Sequence, residues 1–243
     1  LLRRRRCALV SNNSTHTART LRGVFAGAGL AAREQDFFLA GEAAVRAVHE
    51  RFPGKSVLAL ASGEVLACAR RTLPLAGADE TPGVVLVCRD ETLTFEKLQR
   101  AVNALRAGAA AVLANPDLTH PAAGGRVHLE TGAIWALLAA ACRRTQEAAL
   151  VVGKPCPDLV RQALEHLAVA AHEAVFLGDT LQTDARAAAA AGVPFIHVGG
   201  EGFALSELVE GGSMAGGLPG PGDDGPLDEA PDGSERGGKP HDH

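Results

Sequence analysis

Short apolar runs alternate with longer amphipathic stretches from Ala8 to Val198, and this alternation limits the chain to one class of fold. Ala8-Leu9-Val10, Phe37-Phe38-Leu39, Val57–Ala61, Val84–Val87, Ala110–Ala114, Leu150–Val152, Val175–Leu177 and Pro194–Val198 have the length and composition of strands. Between them, Thr15–Ala28, Gly41–Arg51, Glu64–Thr72, Thr94–Ala107, Gly132–Arg144, Pro157–Leu167 and Asp184–Ala191 repeat apolar residues at helical spacing. Gly29, Pro53-Gly54 and Gly192 stand where helices stop. A strand that follows a helix that follows a strand builds parallel sheet, so the reading is α/β. No internal repeat is visible.

Composition narrows the setting. The 243 residues leave room for one large or two small domains. With 47% hydrophobic and 21% charged residues the balance is that of a globular protein, and a net charge of −4 gives no case for nucleic acid. No apolar run approaches the roughly 18 residues of a membrane span. Cys7, Cys68, Cys88, Cys142 and Cys156 form no close pair, which argues against a disulfide framework or zinc cluster and implies a reducing, cytoplasmic location. The chain starts at Leu1 and its single methionine is Met214, as expected of a piece of a longer protein. Residues 211–243 hold ten Gly, five Pro, seven acidic and two basic side chains. Such a segment buries too little to offset an ordering cost of about 1–2 kcal/mol per residue, so a disordered acidic tail is expected there.

Chemistry is expected at strand ends, because ligands of open α/β sheets bind beyond the carboxyl ends of the strands. Three ends are unusual. Ser11-Asn12-Asn13-Ser14-Thr15 opens a helix with hydroxyls, amides and backbone N–H groups suited to an anion, although a simple N-cap turn has the same composition. Lys154 stands between Gly153 and Pro155, where the following proline disfavours helical backbone and lets the side chain project; a surface lysine is the ordinary alternative. Gly178-Asp179-Thr180-Leu181-Gln182-Thr183-Asp184 places two carboxylates about a turn, as a hard cation requires, or else makes Asp184 a helix cap.

Taken in this order, hydroxyl-amide turn, lysine and acidic pair resemble the motif series of the haloacid dehalogenase superfamily. SNNST at 11–15, ANPD at 114–117, GKP at 153–155 and GDTLQTD at 178–184 look like its NagD-like phosphatases, and VVLVCRDETLTFEKL at 84–98 resembles the large α/β cap of that subgroup. The resemblance implies a Rossmann-like three-layer core over 1–54 and 129–210, interrupted by an inserted cap over 55–128. It implies that Ser11 bonds the phosphoryl group, with Asn12 and Asn13 shaping the turn, and that Lys154 neutralises the transferring phosphoryl. Asp179 is then the direct Mg2+ ligand, Asp184 orders the metal's waters or positions Lys154, and Asn115 and Asp117 face the substrate. A small phosphorylated metabolite is the implied substrate, such as a sugar phosphate, a nucleotide or phosphoglycolate, and the cap is the implied face for a homodimer. Such a division of labour suits phosphoryl transfer, which depends on positioning and on stabilising charge at the equatorial oxygens.

One part of the series is not found. The family's first motif, DxDG, supplies a nucleophilic aspartate and an acid–base aspartate, and the sequence contains no DxDG; Asp90 and Asp158 do not stand in such a setting. The chain as given is therefore expected to be inactive, with a catalytically silent phosphate-binding or interaction protein as the alternative. The absent motif belongs to a central strand, so no strand of this chain is expected between Ala8–Val10 and Val175–Leu177. Other apparent motifs fail in context. Gly54-Lys55-Ser56 precedes a strand instead of following one, and Gly27-Ala28-Gly29 follows a helix. Among the histidines only His120 lies beside the NPD stretch.

Overall fold

The computed structural model describes residues 6–145 and 148–198, so the expected tail at 211–243 lies outside the described residues. The elements run β1 (Leu9–Ser11), α1 (Ala18–Gly27), β2 (Phe37–Leu39), α2 (Ala40–Arg51), β3 (Val57–Leu60), α3 (Gly63–Thr72), β4 (Val84–Val87), α4 (Phe95–Arg106) and β5 (Ala110–Leu113). They continue with β6 (Thr119–Pro121), β7 (Val127–Leu129), α5 (Thr131–Cys142), β8 (Leu150–Val151), α6 (Asp158–Leu167), β9 (Phe176–Gly178), α7 (Arg186–Ala191) and β10 (Phe195–His197). The architecture is α/β with mainly parallel strands, as the alternation predicts. No helix among the described residues is long and apolar enough to cross a membrane.

β3, β4, β5 and β8 form a four-stranded parallel sheet in the order β3-β4-β5-β8. Its strands read as unbroken apolar runs because both faces are covered. Val84 and Leu86 point into one core with Ala44 and Val48 of α2 and Val65 of α3. Val85 and Val87 point the other way, into a second core with Leu105 of α4 and Trp135 and Leu138 of α5. The sheet crosses the division expected at residue 128: Val112 pairs with Leu150 and Leu113 with Val151, so β8 forms one edge of the sheet and α5 covers one face. Without Leu150 and Val151, that side of β5 would be an open edge.

The remaining parallel strands form two pairs, β1 with β2 and β9 with β10. Val10 of β1 and Phe176 of β9 pack against one small core built on Val160, Ala187, Ala188 and Val193. Yet the pairs share no ladder, and among the described residues no strand is hydrogen-bonded between them. Two details differ from the sequence reading. The β6–β7 hairpin is antiparallel and was not anticipated, because its residues are almost all exposed and leave no buried alternation to read. Leu181–Ala185 forms a wide π turn before α7 begins at Arg186, two residues later than the expected helix start at Asp184.

Candidate active site

The turn after β1 is held from inside. Asn13 N–H donates to Ser11 Oγ at 3.2 Å, and Asn13 Oδ1 accepts from the N–H groups of Thr15 at 3.2 Å and His16 at 2.8 Å. This is the side-chain turn that asparagine favours before a helix. The first N–H groups of α1 are not open to a ligand. Glu64 of α3 accepts from Thr17 N at 2.8 Å, Thr17 Oγ1 at 2.7 Å and Thr20 Oγ1 at 2.9 Å, and Glu42 accepts from Ala18 N at 3.0 Å. Two carboxylates thus take the N–H groups of Thr17 and Ala18 at this helix end. Burial pushes the Glu64 carboxyl upward, but the bonds from Thr17 and Thr20 and the nearby His16 outweigh it and hold the group at about 2.

Asn12 reaches across the chain to Lys154. Its Oδ1 accepts from Lys154 N at 2.8 Å, and its Nδ2 donates to Lys154 O at 3.0 Å and to Asp117 Oδ2 at 2.9 Å. The side-chain amide thus pairs with the backbone of Lys154 as a neighbouring strand would. Glycine is needed at 153 for this approach, since a Cβ there would lie 2.6 Å from Asn12 Oδ1. The Lys154–Pro155 peptide is cis.

Past its clamped backbone, the Lys154 side chain runs to Asp184, with Nζ 2.5 Å from Oδ1 and the two side chains 12% and 4% exposed. The other oxygen, Oδ2, accepts from the N–H groups of Asp179 and Thr180 at 3.1 Å each. A Cβ at Gly178 would collide with this carboxylate. Both oxygens of Asp184 are thus engaged in holding Lys154 and the loop of Asp179.

Asp179 is exposed, and Thr180 Oγ1 donates to its Oδ1 at 3.1 Å. No cluster of three metal-ligating side chains occurs among the described residues. The donor set fits a single direct carboxylate bond to a hard cation. Mg2+ takes such a site readily, since it keeps several waters and completes its shell with substrate phosphate.

Within the NPD loop, Asn115 is placed differently from the expectation. Asn115 is wholly buried, and its Nδ2 donates to Asn12 O at 2.7 Å and to Thr131 Oγ1 at 3.3 Å. It holds the serine turn against the end of β5 and presents no face to a substrate. Asp117 stays half-buried beside Asn12, and burial pushes its carboxyl upward. Sequence reasoning also missed Ser14, 2% exposed, whose Oγ lies 2.9 Å from Thr131 Oγ1 and accepts from Arg89 N at 3.1 Å. A serine three residues past Ser11 carries no signal of its own. Its role depends on Thr131, at the N-terminus of α5, reaching it from far along the chain.

The haloacid dehalogenase-like hydrolase family matches residues 30–192. A dihydroxyacetone phosphatase of Corynebacterium glutamicum is 28% identical over 191 residues, which cover 78% of this chain and 67% of the relative. Among solved structures, NagD from E. coli K-12 superposes with a TM-score of 0.68 at 25% identity, covering 79% of this chain and 73% of that one. A glycerol phosphate phosphatase from Mycobacterium tuberculosis, in complex with calcium, superposes with a TM-score of 0.71 at 28% identity over 80% of this chain and 57% of that one.

Proposed function

Because this chain belongs to the haloacid dehalogenase-like hydrolases, we propose that it carries the phosphate-handling part of a Mg2+-dependent phosphomonoesterase for small phosphorylated metabolites. The observation that supports this most is the Asn12–Lys154–Asp184 chain. A buried carboxylate and a side-chain amide fix one cation at both ends, beside the turn that carries Ser11. Preorganised charge of this kind lowers the barrier to phosphoryl transfer because nothing needs to reorient as charge develops.

In this reading the Ser11 hydroxyl bonds a phosphoryl oxygen and Asn13 keeps the turn in shape. Lys154 neutralises the equatorial oxygens, and Asp184 keeps its ammonium in place. Asp179 holds Mg2+, which when bound supplies positive charge at the phosphate. Asp117, whose carboxylate accepts from Asn12, would face the substrate. The nucleophile and the acid–base group are two aspartates of a DxDG motif that these 243 residues do not contain. Among the described residues β1 and β9 each pair on one side only, and a strand between them would deliver these aspartates level with Ser11 and Asp179. A cytoplasmic location accords with thiols at Cys68, Cys88, Cys142 and Cys156.

The test is hydrolysis of p-nitrophenyl phosphate by residues 1–243 alone and by the same residues preceded by a DxDG-bearing segment. The expected result is no turnover from the first and Mg2+-dependent turnover, abolished by EDTA, from the second. Turnover by residues 1–243 alone contradicts the assignment of the nucleophile. No turnover by either, with phosphate still bound, favours a phosphate-binding protein without catalysis.

A further inference from the structure

The proposed reaction gives no part to His197, the side chain that meets Asp179 from the neighbouring strand. β9 and β10 run parallel, with His197 opposite Gly178, the residue before Asp179. From there His197 Nε2 lies 3.1 Å from the carbonyl oxygen of Asp179. A carbonyl can only accept, so Nε2 carries the proton and the ring is the donor at this contact.

The ring is held for that contact. Side chains two apart on a strand share a face. His197 accordingly stacks on Phe195, with ring centroids 6.4 Å apart and planes 24° from parallel. Phe195 stacks in turn on Phe176 of β9, at 6.3 Å and 25°. Both phenylalanines pack against the core of Val160, Ala187, Ala188 and Val193. An aromatic ladder thus runs from that core to the exposed end of β10 and delivers the imidazole to the loop after β9.

Asp179 is thereby fixed at both polar groups of its backbone. Its N–H donates to Asp184 Oδ2 at 3.1 Å, and its carbonyl accepts from His197. Thr180 Oγ1 donates to its Oδ1, which leaves Oδ2 as the carboxylate oxygen without a bond among the described residues. Two of these three holds come from the loop 179–184 itself, and His197 is the one from outside it. The loop needs an outside hold, since Asp179, Thr180, Leu181 and Gln182 are all exposed. A lone carboxylate that must be ordered on binding loses that ordering cost from its affinity, and one ordered beforehand does not. We propose that His197 is a positioning residue for the metal, which orders the Asp179 loop in advance and so sets the affinity for the divalent cation. This rests on the Mg2+-dependent phosphomonoesterase reading above. The imidazole bonds the backbone of Asp179 and not its carboxylate, so its effect falls on cation affinity and not on turnover once the cation is bound.

The test uses the protein that carries the DxDG segment. Mn2+, which suits the same oxygen ligands as Mg2+, is titrated and its bound fraction read from the loss of the free-ion EPR signal. Beside it, kcat and the half-saturating Mg2+ concentration are measured with p-nitrophenyl phosphate. His197→Leu keeps an apolar side chain against Phe195 and removes the donor. The Mn2+ Kd and the half-saturating Mg2+ should both rise about tenfold, the lower end of what losing a group that orients a metal ligand costs. kcat at saturating Mg2+ should not change. His197→Gln, whose amide N–H lies about as far along the side chain as Nε2, should restore most of the affinity. Unchanged Mn2+ affinity in His197→Leu, or an equal loss in His197→Gln, overturns the inference and leaves the phosphomonoesterase reading standing. A fall in kcat at saturating Mg2+ as large as the fall in affinity overturns it too, by placing His197 in the reaction itself. If the unmodified protein neither binds Mn2+ nor turns over, the phosphomonoesterase reading fails first and takes the inference with it.

Discussion

β4 and β1 are both short parallel strands, and Ser14, in the turn after β1, accepts from Arg89 N in the chain after β4. They are packed very differently. Every residue of Val84–Val87 is fully buried, while each residue of Leu9–Ser11 is only partly so. β4 has a strand on either side and helices on both faces; among the described residues β1 has one strand neighbour, β2. Of the side chains assigned to the reaction, Ser11 and Asp179 lie on or just after the loosely covered pairs. Much of what positions them comes from the ends of the closed sheet: Arg89 after β4, Asn115 after β5 and Lys154 after β8. The well-packed sheet thus serves as the frame and presents Lys154, and the open pairs carry Ser11 and Asp179.

The widest gap should appear in stability. Leu86→Ala empties a site at 0% exposure between two strands and is expected to cost about 3–4 kcal/mol, read as a fall in the urea midpoint. Val10→Ala on β1 should cost about 1 kcal/mol or less. Equal losses at the two positions would show that the two regions are equally well packed and would remove the contrast.

Asn115→Ala probes the connection between them. It leaves Asn12 O and the Thr131 hydroxyl without their buried donor, at a cost of about 1–3 kcal/mol. Because Asn12 in turn clamps Lys154, phosphate affinity should fall as well. A stability loss with unchanged phosphate affinity would confine Asn115 to a structural role.

The smallest effect concerns acid. Hydrogen bonding from Arg33, opposed by burial and aided by His166, holds Asp36 at about 2 against an ordinary 3.8. Glu64 is likewise held at about 2 against 4.5. A carboxyl whose folded value is depressed stabilises the fold fully above its unfolded value, and that contribution is lost as pH falls through the folded value. Between roughly pH 4.5 and 2 the urea midpoint should therefore fall, and Asp36→Asn and Glu64→Gln should each flatten that limb. An unchanged slope in both variants would contradict the pairings.

How much of this was legible beforehand depends on whether the signal was local. Val84–Val87 and Phe37–Leu39 were readable to the residue because an unbroken apolar run leaves little choice of boundaries. Lys154 and the acidic pair could be picked out because glycine and proline mark the turns that present them. The burial of Asn115, the Ser14–Thr131 contact and the use of Glu64 to cap α1 were not readable. Each joins residues far apart in the chain, and a polar residue that satisfies a buried partner looks the same in sequence as one that faces solvent. The membership of β8 in the four-stranded sheet was missed for the same reason, since two residues, Leu150 and Val151, carry no mark of which sheet they join.

The account rests on a lysine held ready by Asn12 and Asp184. Its most direct test is the kcat of Lys154→Met in the protein that carries the DxDG segment, measured with p-nitrophenyl phosphate at saturating Mg2+. Loss of one preorganised charge-stabilising donor predicts a fall of about a hundredfold to a thousandfold; a variant that folds and keeps near-full kcat would contradict it.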